Sequence, residues 1–64
     1  MAKVNIDAAI IEAVKTRNAE LADHIAETMM FIHGWTYKRL YQKANELTGI
    51  SDGEWCELIR EGEG

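Results

Sequence analysis

The sequence predicts an all-α fold: a long N-terminal helix followed by two short helices packed on its C-terminal half, a small three-helix domain. Three observations carry this expectation. The chain has no proline and its five glycines begin at Gly34, so nothing punctuates the first 33 residues. Between Ile6 and Ile32 the residues are mostly strong helix formers. Apolar side chains in that stretch recur at the helical period and not at the alternating period of a strand.

The first helix is expected over residues 6–33. With successive residues about 100° apart, Ile10, Ile11, Val14, Leu21, Ala22, Ile25, Met29 and Ile32 form one stripe. Glu12, Thr16, Glu20, Asp23 and Glu27 fall on the other side. Asn5 or Asp7 suits the N-cap, and Gly34 suits the residue after the last turn. The second helix is expected over residues 37–48, opened by Thr36 as cap, with Trp35 stapled onto Leu40 and Gly49 as terminator. Tyr37, Leu40, Tyr41, Ala44, Leu47 and Thr48 share its apolar face, and Lys38, Arg39, Gln42, Lys43 and Glu46 lie opposite. The third helix, over residues 52–61, carries the sharpest local signal: Ser51 and Glu54 form a capping box, and Ile50 is placed to staple onto Trp55. Gly62-Glu63-Gly64 reads as a frayed tail. The expected core is Ile25, Met29, Phe31, Ile32, Leu40, Tyr41, Leu47, Trp55 and Ile59.

A chain of 64 residues is one domain at most. At this size folding buries only about 60% of the unfolded surface, so a lone core is marginal. Disulfides, a structural metal or oligomerisation are the usual remedies. Cys56 is the one cysteine, so no bridge forms within the chain, and a lone thiol fits a reducing cytoplasm. Cys56, His24 and His33 fall short of the roughly four Cys/His ligands of a structural zinc site, and no metal or other cofactor is expected. Eleven acidic against seven basic residues give a net charge of −4, which favours solubility and disfavours phosphate backbones. The longest apolar run, Met29 to Ile32, is far short of the roughly 20 residues of a membrane span. Lys3 is followed by Asn5 and Asp7 and not by a hydrophobic stretch, so no signal peptide is read. The expected setting is cytoplasmic.

The helix lengths do not match. A helix over residues 6–33 would run about 42 Å, against about 18 Å and about 15 Å for the other two. Packed at the Met29–Ile32 end, the short helices cannot also cover Ile10, Ile11 and Val14. Leaving these wet forgoes roughly 1.5–3 kcal/mol each. One remedy is pairing with a second copy or another protein. Ile11, Val14, Asn18, Leu21, Ile25, Thr28 and Ile32 take alternating a and d heptad positions, with Asn18 at an a position, where a buried Asn fixes register. The other remedy breaks the helix near Thr16–Asn18 and folds the halves together as part of a four-helix monomer, with Asn18 as an N-cap. No Gly or Pro marks such a break, so the continuous helix is the expectation.

Chemistry-bearing patterns are few. The Asn45–Ser51 segment before Trp55 resembles a helix-turn-helix corner. However, Asn45 occupies the place of the usual small residue, and the following helix carries Asp52, Glu54, Glu57 and Glu61 against Arg60 alone. Lys38, Arg39 and Lys43 lie near Trp35, Tyr37 and Tyr41, as in single-strand binders, but the cations and aromatics fall on opposite faces. Glu20, His24 and Glu27 share a side without the Glu-x-x-His spacing of carboxylate-bridged bundles. Cys56 with a histidine is the one conceivable nucleophile pair, and an acidic helix is the wrong setting for a thiolate.

These readings converge on a non-enzymatic protein–protein interaction module, an adaptor or an inhibitor. Ile10, Ile11, Val14, Asn18 and Leu21 would form its surface for homodimerisation or a protein partner. The alternative is a small helix-turn-helix-like nucleic-acid-binding regulator using Lys38, Arg39 and Lys43.

Overall fold

The computed structural model describes residues 5–63. It is all-helical, with no strand among the described residues. Four helices follow in order: α1 (Ile6–Thr16), α2 (Ala19–Glu27), α3 (Tyr37–Thr48) and α4 (Asp52–Glu63). A π-helical segment, Thr28–Ile32, continues α2 without a break.

The long helix over residues 6–33 is therefore corrected, and with it the three-helix arrangement. The break falls at Arg17, whose backbone is left-handed at φ 55° and ψ 39°. The Arg17 amide donates to the Val14 carbonyl at 3.3 Å and the Asn18 amide to the Ala13 carbonyl at 2.9 Å. This pair of bonds is the Schellman ending, usually built on glycine. Asn18 then turns from ending one helix to starting the next. Its side-chain oxygen accepts from the Leu21 amide at 3.1 Å, so Asn18 is an N-cap and not a heptad a-position residue. An arginine in the left-handed region costs about 1–2 kcal/mol, and folding α1 back over the core offsets it.

The other starts are locally encoded as expected. Asn5 accepts from the Asp7 amide at 3.0 Å and Thr36 from the Arg39 amide at 3.2 Å. Ser51 Oγ accepts from the Glu54 amide at 3.2 Å and donates to Glu54 Oε1 at 3.2 Å. Gly49 closes α3 with φ +76°, a conformation that favours glycine.

The core joins all four helices: Ile10 and Ala13 from α1, Ala22, Ile25 and Ala26 from α2, Leu40 and Ala44 from α3, Trp55, Leu58 and Ile59 from α4. Met29 from the π-helical segment and Ile50 from the last turn complete it. α2 and α4 form the most extensive helix pair, and α1 lies against both α2 and α3. Four of the buried residues are alanines, which lets these short helices approach closely without large side chains between them.

The C-terminus departs from the expected frayed tail. α4 runs on through Glu63, and Gly62 sits against the start of α2. A methyl group at Gly62 would overlap the Ala19 carbonyl oxygen and would fall 2.8 Å from Asp23 Cβ. Gly62→Ala is accordingly expected to lose about 1–3 kcal/mol, the usual cost of overpacking. Denaturant titration followed by helical circular dichroism would measure it. An unchanged midpoint would mean that the last turn of α4 does not dock on α2.

Candidate functional site

Phe31 and Ile32, expected in the core, are 83% and 75% exposed. The winding of Thr28–Ile32 explains the correction for Ile32. In an α-helix Ile32 lies almost one turn beyond Met29, on the same stripe. In a π-helix each turn takes more residues, so three residues fall well short of a turn. Met29 stays buried and Ile32 rotates to solvent, while Phe31, two residues from Met29, faces away from it under either winding. The wider bonds are visible directly: the His33 amide donates to the Thr28 carbonyl, five residues back, at 3.3 Å. The Trp35 amide reaches back to the Met29 carbonyl at 2.8 Å as the chain turns through Gly34 at φ +70°.

The exposed pair forms a ridge with a shallow hollow on either side. On one side Ala26, Met30, Tyr37 and Ile59 make an apolar floor rimmed by Asp23, Glu27 and Glu63. On the other side Ile6, Thr28 and Met29 are flanked by His24 and His33. A third depression, lined by His24, Glu27, Thr28, Phe31 and Ile32, joins the two across the ridge. Asp23 and Glu63 thus edge one flank and His33 the other, and Glu27 and His24 meet in the depression between them.

The residues expected to bind a partner are placed differently. Ile10 is fully buried at 0% exposure, and Val14 and Leu21 are half-buried against the core. Asn18 is spent on its cap. Ile11 alone of the five is an exposed large apolar side chain, at 41%. The apolar surplus of α1 is thus largely covered from within the chain.

The basic face of α3 is partly engaged. Lys43 Nζ meets Asp7 Oδ1 at 3.4 Å, tying α3 to the first turn of α1. The Arg39 guanidinium lies 4.3 Å from the centroid of the Trp35 ring, a cation–π stack that holds both side chains against the surface. Lys38 is exposed. The groove beside them also contains Asp7 and Glu46, so its charge is mixed.

The corner between α3 and α4 is braced by the residue that departs from the helix-turn-helix pattern. Asn45 Nδ2 donates to the Ile50 carbonyl at 2.6 Å, and the Ile50 amide donates to Thr48 Oγ1 at 3.2 Å. Asp52, Glu54, Glu57 and Glu61 of α4 are all exposed. Arg17 approaches Glu54 at 3.7 Å across an exposed gap, a pair of small energetic weight.

Cys56 is half-buried and lies close to the Tyr37–Tyr41 pair, whose ring centroids are 4.8 Å apart. Burial pushes the Tyr41 hydroxyl well above its usual range, and the neighbouring Cys56 adds to the rise. Burial also raises Tyr37. Both phenols remain protonated near neutral pH and serve as packing groups. Among the described residues no cluster of three or more His, Cys, Asp or Glu is arranged to hold a metal ion. No helix among them is long and apolar enough to cross a membrane.

Compared with protein families, with curated proteins and with solved structures, the chain matches none.

Proposed function

We propose that this protein is a non-enzymatic protein–protein interaction module, an adaptor or an inhibitor, whose docking element is the Phe31–Ile32 ridge. The observation that carries the reading is the exposure of two adjacent large apolar side chains on a π-helical segment. Leaving both in water forgoes roughly 1.5–3 kcal/mol each. In a domain of 64 residues that is a large part of the total stability. Single exposed apolar residues are common on protein surfaces. A contiguous apolar ridge between hollows with polar rims is the anatomy of an interface core. π-Helical turns are rare and are frequent at functional sites.

This moves the interaction surface from α1, as read in the sequence, to the end of α2. Three features weigh against the nucleic-acid reading: the Lys43–Asp7 pair, the mixed charge of the groove beside it and the acidic outer face of α4.

The test compares two baits in host-cell extract: the protein itself and its Phe31→Glu/Ile32→Glu variant. Both positions are exposed, so the variant is expected to keep its helical content and its stability. A protein retained by the first bait and lost from the second is the expected result. Identical retention by two folded baits would remove the ridge as the docking element.

A further inference from the structure

We propose that α1 is exchanged between two copies of this chain. The turn at Arg17–Asn18 straightens, and α1 of each copy takes the seat on α2 and α3 that the other copy's α1 has left. The exchange uses no residue of the Phe31–Ile32 ridge and stands apart from the interaction reading.

Only Arg17 and Asn18 separate α1 from α2. Arg17 is the one residue other than glycine with a positive φ among the described residues. Both side chains are exposed, so no buried contact of their own holds the turn. The ion pair of Arg17 with Glu54, at 3.7 Å, is exposed and weak. No glycine or proline lies between Ile6 and Ile32 to oppose a continuous helix. Continued as an α-helix, the chain would pair the Lys15 and Thr16 carbonyls with the Ala19 and Glu20 amides, groups that helix ends otherwise leave to water. Ile10, Val14, Leu21 and Ile25 would then fall within about 60° of one another. The straightened chain therefore presents one apolar face along both halves. Two such helices laid side by side in opposite directions need that face: α1 of one copy lies on α2 of the other, and the reverse.

The seat that α1 occupies is the same in both states. Ile10 and Ala13 stay enclosed against α2 and α3, and Asp7 still meets Lys43, but between copies. Each contact is made twice, as a closed two-fold pair requires. The two states differ chiefly at the hinge. Closing it needs a left-handed arginine, and opening it gives up the Asn18 cap. A short hinge under strain favours exchange of this kind. Each pair contains two hinges, so a substitution at the turn acts twice on the association.

Refolding the full chain from urea at about 1 mM and measuring its mass by sedimentation equilibrium tests the exchange. A species of twice the 7.3 kDa chain mass is expected. Asn18→Ala removes the cap from the closed turn and suits the open helix, so it is expected to tighten the pair by about thirtyfold. Arg17→Gly relaxes the closed turn and weakens the open helix, so it is expected to loosen the pair by about thirtyfold or more. Phe31→Glu/Ile32→Glu is expected to leave the pair unchanged. A single-chain mass for both the parent and Asn18→Ala would overturn the proposal, as would a pair that survives Arg17→Gly undiminished or is lost with the ridge. The crossing of α1 has its own test in Asp7→Lys and Lys43→Asp. Either variant alone sets like charges together where α1 meets α3, both within one copy and in its own pair. Refolded together, they form a mixed pair in which the new lysine faces the new aspartate at one seam and Asp7 faces Lys43 at the other. The mixture is expected to associate about fivefold more tightly than either variant by itself. Equal association of the mixture and the separate variants would show that α1 stays on its own chain.

Discussion

Trp55→Ala is expected to leave most of the chain unfolded at room temperature. Trp55 is the largest fully buried side chain and stands at 0% exposure. Removing a buried aromatic side chain of this kind costs about 3–5 kcal/mol. A domain of 64 residues holds about 3–10 kcal/mol in total, so the loss is comparable to the whole. The surroundings offer little compensation, because α2 and α4 form the main helix pair and each needs the other to bury its apolar face. Circular dichroism at 222 nm (the usual helix band) during urea titration would measure the effect. A variant that stays helical with a cooperative transition near the original midpoint would show that Trp55 is not central to the core. Trp55→Phe gives a finer comparison. The indole Nε1 is buried without a hydrogen-bond partner, a burden of about 1–3 kcal/mol that phenylalanine removes. The smaller ring also leaves a void, so the two effects oppose, and the expected net loss is no more than about 2 kcal/mol.

The second large effect separates two neighbours on α1. Ile10→Ala is expected to lose about 2–5 kcal/mol, and Ile11→Ala to change stability by about 0.5–1 kcal/mol at most. Ile10 is completely enclosed where α1 meets α2 and α3, whereas Ile11 is 41% exposed. Urea midpoints of the two variants, measured at one temperature, give the difference directly. Equal small losses would mean that α1 does not fold back on the domain and that its apolar face is open. The contrast also tests the left-handed turn at Arg17, because a continuous helix would carry Ile10 away from α3.

The all-helical class and most helix limits were legible from the sequence because their signals are local. Thr36, Ser51 with Glu54, and Gly49 act within a few residues of where they stand, and each does what its chemistry indicates. The break at Arg17–Asn18 was visible only as a possibility. Arginine is an ordinary helix former, and its left-handed conformation is imposed by tertiary packing, which local propensity does not contain. Asn18 held the one readable cue, since it both fits an a position and caps a helix. The length mismatch of α1 was a sound signal whose resolution is internal: folding back covers Ile10 without a partner. The exposed ridge was hidden for a different reason. Assigning Ile32 to the core assumes α-helical spacing throughout, and the winding changes at Thr28; Phe31 lies off the apolar stripe even at α-helical spacing. No residue type in Thr-Met-Met-Phe-Ile announces a π-helix.

That change of winding lies one codon away from an ordinary helix. A π-helical turn holds more residues than the α-helical turn it replaces. Deletion of Met30 would therefore let ordinary winding run on to the turn at Gly34. The isoleucine would then stand two residues after Met29, about 200° round an α-helix, and would still face outward. The extra residue could thus be lost while the aliphatic group stayed on the surface.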